Sequence, residues 1–160
     1  MNENISLHRE ISLADLEIGS EITVGACEVV QKANFNELPV AVKIIENFSN
    51  DNERKDFFYN LAIISMLQHP NLIACLGAHV NTTTFEEKRL IVLDLIKRGT
   101  LSNMLRNHNN SFSKKSRLRI ALDCANGLHY LHERRFIHKE LTSENIMVFI
   151  NLHIFFFNLY

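Results

Sequence analysis

The stretch from residue 138 to residue 145 constrains most strongly what this chain can fold into. It consists of His138-Lys139-Glu140-Leu141-Thr142-Ser143-Glu144-Asn145. A long helical pattern precedes it and an apolar run follows it, which indicates a loop between a helix and a strand. On such a loop the carboxylate of Glu140 and the carboxamide of Asn145 can point at one site. The carboxylate could orient a hydroxyl group, and the carboxamide oxygen could bind a metal ion.

The composition is that of a globular protein. The chain has 160 residues, 46% of them apolar, and a formal charge of −1 at pH 7. This length allows one domain or two small lobes with a buried core, and the composition argues against disorder. The small net charge gives no reason to expect a nucleic acid or an anionic membrane as a partner. The three cysteines are scattered in apolar runs, which favours core residues in a reducing compartment.

No targeting or membrane signal is visible in the sequence. Residues 1–10 are polar and lack the apolar core of a signal peptide. The longest apolar run, residues 149–160, is shorter than the roughly 18 residues of a membrane helix and contains polar side chains. We therefore expect a cytoplasmic protein.

Alternating and β-branched runs predict five strands. Residues 15–30 are typical of two strands around a turn, and Asn34-Phe35-Asn36 supplies the next turn. The β-branched run 40–45 predicts a buried strand that carries one cation. Residues 72–80 and 89–96 predict a further strand pair.

Helical spacing predicts three helices. Residues 51–68 form the first, which His69-Pro70 ends, and residues 101–106 form a short second helix. Ser113 is the expected cap of a long helix over residues 114–135. The apolar stripe of that helix is Leu118, Ala121, Ala125, Leu128 and Leu131.

This order of elements, together with the loop spacing, resembles the eukaryotic protein kinases. Their catalytic loop has the pattern H-R-D-x-x-x-x-N, and His138, Glu140 and Asn145 stand at the corresponding spacing. The pair Thr142-Ser143 is similar to the tyrosine-kinase-like branch of serine/threonine kinases. The resemblance implies an α+β, protein-kinase-like fold. It would contain a complete N-lobe, with a five-stranded antiparallel sheet plus one helix, and only the first part of the helical C-lobe.

The resemblance also implies four segments. They are an N-terminal extension at 1–14, the N-lobe at 15–96, a partial C-lobe at 97–148, and a tail at 149–160 that is not clearly of the family. On this interpretation the chain is truncated and lacks the activation segment, the peptide-binding groove and the large C-lobe helices.

The family resemblance implies that ATP and Mg²⁺ are the ligands. Val40-Ala41-Val42-Lys43 is similar to the family's V-A-x-K, which assigns Lys43 to the α and β phosphates. Residues 21–30 are similar to the glycine-rich loop, I-G-x-G-x-F-G-x-V, of which Gly25 remains. Glu28 replaces another of its glycines and brings a negative charge towards a polyphosphate.

Further positions are implied around the adenine ring. Leu93 stands at the gatekeeper position, and Asp94-Leu95-Ile96 resembles the hinge. The implied nucleotide-binding residues are Ile22, Gly25, Val30, Ala41, Lys43, Leu93, Asp94, Ile96 and Met147. At the apolar positions a plain core role is the alternative, and both interpretations predict burial.

The catalytic roles implied by the family fall on three residues. Glu140 would orient the substrate hydroxyl, Asn145 would bind Mg²⁺, and Lys43 would hold the phosphates. Glu140 is one methylene longer than the family's Asp, and a displacement of about 1 Å can cost roughly 10²-fold in rate. His138 is expected to be a packed structural residue.

Two departures weaken the catalytic interpretation. The family's helix carries a glutamate that pairs with the strand lysine, and here Asn60 has that position, with Glu53 about 10 Å away along the helix axis. Residues 152–159 mimic the segment V-K-I-A-D-F-G-L two residues early, with Phe156 in place of the metal-binding Asp. The alternative is that the last dozen residues are unrelated sequence that follows a truncation.

Three functions therefore remain open. The first is an active kinase that transfers the γ-phosphoryl group of ATP to Ser/Thr hydroxyls of proteins. The second is a non-catalytic, pseudokinase-type module that binds nucleotide, or a protein partner through its unfinished C-lobe surface. The third is a truncated product that exposes the apolar helix stripe and residues 155–157. We expect this chain to be inactive or strongly impaired as an enzyme.

Overall fold

The computed structural model divides the chain into two compact units. One unit comprises Met1–Leu67 and Ala74–Leu95, and the other comprises Gln68–Ile73 and Ile96–Tyr160. The structure describes residues 9–23, 29–45, 48, 50–80, 89–96, 99–107, 112–148 and 154–156. The segment boundaries implied by the sequence stay predictions.

The first unit is built on a five-stranded antiparallel sheet, which confirms the predicted N-lobe architecture. Its strands are β1 (Leu16–Thr23), β2 (Val29–Phe35), β3 (Leu38–Ile45), β4 (Cys75–His79) and β5 (Arg89–Asp94). Their spatial order is β1-β2-β3-β5-β4. A short 3₁₀ turn at Leu13–Asp15 leads into β1. One face of the sheet buries an apolar cluster of Ile11, Leu16, Ala33, Phe35, Val40, Val42, Leu90 and Val92.

The turn between β2 and β3 lies later than the sequence predicted. Asn36 and Glu37 have φ values of 49° and 67°, whereas Phe35 still pairs with Leu38 in the sheet. Two consecutive residues with positive φ match the strand twist of a tight hairpin. The prediction of Asn34 and Phe35 as turn residues was wrong, because burial of the Phe35 ring in the cluster outweighs local turn preference.

Helix α1 (Asp51–Met66) begins at a reciprocal cap and confirms the first predicted helix. The Asn50 Oδ1 accepts the backbone N–H groups of Asn52 and Glu53, each at 3.0 Å. The Asn50 Nδ2 donates back to the Glu53 carboxylate at 3.1 Å. This arrangement satisfies donors that the first turn of a helix leaves without partners. It also places the Glu53 carboxylate at the start of the helix.

The second unit contains the two remaining predicted helices and a strand pair. Its elements are α2 (Leu101–Arg106), α3 (Lys114–Glu133), β6 (Ile146–Val148) and β7 (Ile154–Phe156). The Ser113 Oγ accepts the Ser116 N–H at 3.1 Å, so Ser113 caps α3 as predicted. Strands β6 and β7 pair antiparallel, with Ile146 opposite Phe156. In the part of the chain that the structure describes, no helix combines the length and apolarity needed to cross a bilayer.

Tyr130 on α3 explains why residues 68–73 belong to the second unit. Its hydroxyl accepts the Gln68 N–H at 3.0 Å, and its ring lies 4.7 Å from the His69 ring. The Arg134 guanidinium lies 3.7 Å from the centre of the same Tyr130 ring. Burial, and then the neighbouring Arg134 charge, lower the pKa of His69.

The buried face of α3 differs from the stripe taken from the sequence. Leu131 is buried and Leu128 is half-buried, but Leu118 is 64% exposed. Ala121 and Ala125 are also exposed. The buried side chains of the helix are instead Ile120, Asp123, Gly127 and Leu131. Apolar residues lie on more than one side of this helix, so spacing alone does not select the face that packs.

Substitutions on the two faces test this assignment. Ile120→Ala removes buried side-chain atoms and should lower the free energy of unfolding by about 2 kcal/mol. Leu118→Ala, the matched control on the exposed face, should change it by less than about 0.5 kcal/mol. Urea unfolding followed by circular dichroism measures both. A larger loss for Leu118→Ala than for Ile120→Ala would contradict the assignment.

Candidate active site

The sheet places five of the predicted nucleotide-binding residues on one face. In register, Ile22 lies opposite Val30, and Val30 lies opposite Lys43 on β3. In the next row of the sheet, Ala41 lies opposite Leu93. Directly paired residues share a face of a sheet, and residues two apart on a strand do so as well. Ile22, Val30, Ala41, Lys43 and Leu93 therefore line one surface.

This surface lies opposite the apolar cluster of the sheet. Val40 and Val42 alternate with Ala41 and Lys43 along β3, and both valines belong to the cluster. The surface combines buried apolar side chains with the half-buried Lys43. Such a combination suits a flat apolar group attached to an anion. The roles of these residues stay predictions.

Asp94 ends β5 at the predicted hinge. Its backbone N–H donates to the Ala74 carbonyl at 3.1 Å, which fixes the end of the strand. Partial burial raises the pKa of its carboxyl group. Ile96, the next predicted contact, is buried and belongs to the second unit. Gly25 and Glu28 lie outside the described residues.

Asn60 is the residue predicted at the position of the family's helix acid. It is half-buried on α1. An uncharged amide cannot form the ion pair that the family's strand lysine makes. Glu53, the alternative acid, is hydrogen-bonded to the capping Asn50.

The predicted catalytic loop follows a left-handed end of α3. Arg135 has a φ of 63°, and the Phe136 N–H donates to the Leu131 carbonyl at 2.9 Å. The Arg135 N–H donates to the His132 carbonyl at 2.9 Å. These two bonds and the positive φ form a Schellman cap, with arginine where glycine is most common. The chain thereby reverses sharply and enters the loop.

The centre of the loop is a three-residue turn at the altered H-R-D position. His138 is 2% exposed, as expected for a packed residue. Lys139 has a φ of 55°, and the Glu140 N–H donates to the His138 carbonyl at 2.5 Å. A non-glycine residue with positive φ at the centre of such a turn is unusual and strained. The turn leaves the Glu140 side chain exposed.

Asn145 closes the loop and its amide has a defined orientation. Its Nδ2 donates to the Glu140 carbonyl at 3.0 Å, and its own N–H donates to the Thr142 carbonyl at 3.1 Å. Because only the nitrogen of the amide can donate, the Oδ1 is directed away from Glu140. The loop therefore holds the Glu140 backbone and the Asn145 amide together, and the roles of their side chains stay predictions.

Helix α2 supports this loop through contacts that the sequence did not indicate. The Ser102 N–H donates to the Ser143 carbonyl at 2.8 Å. The Arg106 Nη2 lies 3.2 Å from the Glu144 carboxylate. Both charged groups are mostly exposed, so this ion pair contributes little to stability. The hydrogen bond between the Ser102 N–H and the Ser143 carbonyl is the more important contact. Opposite charges 38 residues apart carry no periodic signal that would have revealed the pair.

Strand β6 is tied to the segment before α2. The Val148 N–H donates to the Gly99 carbonyl at 2.9 Å, and Met147 forms an isolated bridge with Thr100. Met147, the last predicted nucleotide contact, is buried. The contact between this strand and the start of α2 fixes the far end of the loop.

The residues that the structure describes do not form a complete Mg²⁺ site. Asn145 offers one neutral oxygen, whereas Mg²⁺ sites of phosphate-transferring proteins use one or two carboxylates with the phosphates. Residues 146–160 contain no Asp or Glu, and Phe156, at the position compared with the metal-binding Asp, lies in β7. Among the described residues, no group of three His, Cys, Asp or Glu side chains could hold a metal ion.

The raised pKa of Asp94 at the hinge predicts a pH-dependent effect on stability. Folding raises the Asp94 pKa above its unfolded value of 3.8, so the folded state binds the proton first as the pH falls. The ionised group is therefore unfavourable to folding at neutral pH, and this effect disappears as the pH falls through the folded pKa. Asp94→Asn should raise the thermal midpoint at pH 7, and the gain should shrink towards pH 3.8. Asp56→Asn, at an exposed position of α1, is the control. If Asp94→Asn raised the thermal midpoint equally at every pH, the ionised Asp94 carboxylate would not be the cause.

The amide of Asn145 generates a prediction for the loop. Asn145→Asp keeps the shape but replaces the donor with an oxygen that faces the Glu140 carbonyl. The free energy of unfolding should fall by about 1–3 kcal/mol, since a hydrogen bond becomes a repulsive contact. Asn126→Asp, at an exposed position of α3, should change it by less than about 0.5 kcal/mol. Urea unfolding of the two variants side by side tests the contact, and equal small effects would refute it.

Comparison with known proteins identifies the family. Residues 13–155 match the family model described as protein tyrosine and serine/threonine kinase. A probable serine/threonine-protein kinase of Dictyostelium discoideum is 33% identical over 141 residues, which cover 88% of this chain and 9% of that protein. From the same organism, the RGS domain-containing serine/threonine-protein kinase A is 32% identical over 92% of this chain and 13% of its own length. The dual specificity protein kinase zak2 is 32% identical over 87% of this chain and 23% of its own length.

This chain thus spans less than a quarter of the length of these three relatives. The match covers both units, including residues 149–155 of the segment treated as a tail. The sheet with its single helix, the loop at residues 138–145 and this match agree with one another. The chain belongs to the eukaryotic protein kinase family and comprises its N-lobe and part of its C-lobe.

Proposed function

We propose that this chain binds ATP and is strongly impaired in phosphoryl transfer. The observation that carries the proposal is the shared sheet face of Ile22, Val30, Ala41, Lys43 and Leu93. Apolar side chains on this face suit the adenine ring, and the single cation on β3 suits the phosphates. Asp94, at the end of β5, is a further proposed adenine contact, and Ile96 and Met147 stay predictions from the family resemblance.

The proposed reaction is transfer of the γ-phosphoryl group of ATP to a Ser or Thr hydroxyl of a protein. The names of the relatives support this acceptor, although one of them is named a dual specificity kinase. Glu140 is the proposed group that orients the hydroxyl. Its side chain is exposed on a turn whose backbone is fixed by Asn145. The extra methylene relative to Asp displaces the carboxylate, which supports a low rate.

Mg²⁺ is proposed to bind only together with the nucleotide. The phosphates would supply most of its ligands, and the Asn145 Oδ1 is the proposed protein ligand. With one neutral oxygen as the proposed protein ligand, Mg²⁺ should contribute little to ATP binding.

A non-catalytic binding module is the second candidate function. Phe156 in β7, in place of an acid, supports it, because a site without that carboxylate loses metal electrostatics worth several kcal/mol in the transition state. Leu118 and Leu122 on the exposed side of α3 offer an apolar surface to a protein partner. This module would bind nucleotide or a protein partner, and it differs from the first candidate in that it transfers no phosphoryl group.

One set of variants tests both candidates. Calorimetric titration with ATP should show binding that weakens about tenfold or more in Lys43→Met, because a phosphate-paired cation is lost. Lys55→Met, at an exposed position of α1, is the matched control and should bind as the unaltered chain does. Removal of Mg²⁺ with EDTA should change the affinity by less than about threefold. The absence of ATP binding would overturn the proposal, and equal loss in both lysine variants would overturn the role of Lys43.

Phosphoryl transfer from labelled ATP to a generic protein substrate separates the two candidates. Glu140→Asp, which shortens the carboxylate to the family's length, should raise the rate by up to roughly 10²-fold. Glu140→Gln, which removes the charge, should abolish any transfer while ATP binding is retained. ATP binding without transfer in the unaltered chain and in Glu140→Asp would establish the binding module instead.

A further inference from the structure

Residues 9–12, here named the N-terminal strap, lie parallel to the outer edge of β4. The Ala78 N–H donates to the Arg9 carbonyl at 3.0 Å, and the Ile11 N–H donates to the Ala78 carbonyl at 2.9 Å. Both backbone polar groups of Ala78 are thus bonded to the strap. An open strand edge would expose these groups, so the strap closes the edge of the sheet at this point.

Side chains strengthen this backbone pairing. Ile11 is 1% exposed and belongs to the apolar cluster of the sheet. The Glu10 carboxylate accepts the Val80 N–H at 3.3 Å, and the His79 Nδ1 lies 3.0 Å from the Ile11 carbonyl oxygen. The Arg9 guanidinium lies 5.4 Å from the centre of the Phe35 ring. The strap is therefore a part of the core and not a loose lead-in to β1.

Gly77 provides the space in which the strap lies. A Cβ atom added at Gly77 would lie 2.4 Å from the Arg9 carbonyl oxygen and 2.7 Å from the Ile11 Cδ1. The φ of Gly77 is 154°, which side-chain-bearing residues rarely adopt. The pairing of β4 with β5 is also irregular between Cys75 and Gly77. This bulge and the missing side chain together form a slot for the strap.

The strand that holds the strap also holds the hinge. Strand β4 follows directly on Ala74, whose carbonyl accepts the Asp94 N–H at 3.1 Å. On the other side of β4, Ala78 carries both strap bonds. The strap and the hinge residue thus contact the same short strand, four residues apart.

We propose that docking of the strap orders β4 and, through β4, the end of β5 at Asp94. The occupant of the β4 edge is the chain's own segment 9–12. When the strap leaves, Ala78 loses both of its outer hydrogen bonds and the cluster loses Ile11, so β4 loosens along its length. The segment that precedes the sheet thereby controls the order of the hinge. Only the effect on nucleotide affinity rests on the proposed function.

Amide hydrogen exchange of the full chain without nucleotide tests the proposal. The Ala78 amide reports strap docking, and the Asp94 amide reports the hinge. Ile11→Ala should speed exchange of the Ala78 amide about tenfold or more, and that of the Asp94 amide in the same direction, because local opening becomes easier. Leu13→Ala, at a partly exposed position next to the strap, is the control and should leave both amides unchanged.

Three outcomes would overturn the proposal. Unchanged exchange at Ala78 in Ile11→Ala would refute docking through Ile11, and fast exchange at Ala78 with an unaltered Asp94 would refute the coupling. The third concerns Gly77→Ala, which displaces the strap and strains the backbone. Gly77→Ala should change the exchange rate of the Ala78 amide much less when Ile11→Ala is already present, since both substitutions act on one contact. If the two effects on this rate were fully additive, the slot would be refuted.

A milder substitution of Ile11 and a measurement of ATP binding complete the experiment. If Ile11→Ala does not fold, Ile11→Val replaces it. This variant should also speed exchange of the Ala78 and Asp94 amides, but by a smaller factor. With ATP, Ile11→Ala should bind more weakly than Leu13→Ala. Failure of the unaltered chain to bind ATP would remove the proposed function but would leave the exchange result interpretable, so the two failures are distinguishable.

Discussion

The register of β3 between β2 and β5 is the constraint on which the rest of the first unit depends. The pleat sends Val40 and Val42 into the apolar cluster and leaves Ala41 and Lys43 on the opposite face. A slip of one residue would exchange the two sets and move the Lys43 ammonium into the cluster. Burial of an unpaired charge costs several kcal/mol, so the core itself enforces the presentation of this lysine. The register of β3 therefore determines both the stability of the sheet and the position of the proposed nucleotide surface.

In the second unit, backbone geometry shapes the loop at residues 138–145. Arg135 and Lys139 both have positive φ, which is unfavourable for side-chain-bearing residues by roughly 1–2 kcal/mol each. Buried His138, the Schellman cap and the Asn145 amide hold the chain in this conformation. The loop can therefore keep the family's spacing from Glu140 to Asn145 although the residue types have changed.

The two halves of the proposed chemistry have different structural support. Val30, Ala41 and Leu93 are buried side chains of the sheet, so a change there affects folding as well as nucleotide contact. At the position compared with the family's metal-binding Asp, Phe156 pairs with Ile146 in the second sheet. The strap links the first half to the residues before the sheet. Through Gly77 and Ala78, these residues lie against the strand whose neighbour ends at the hinge.

The sequence by itself determined the elements that depend on near neighbours. Periods of two and 3.6 residues and the cap at Ser113 act within a few residues, and the strands, helices and cap that they predict appear in the structure. Tertiary structure decided the rest. The choice of the Ile120 face on α3, the shift of the hairpin turn beyond Phe35, and the strap in the Gly77 slot each depend on partners far away in sequence. Burial against such partners is a property of the folded chain, because local spacing does not state which of several apolar faces will find one.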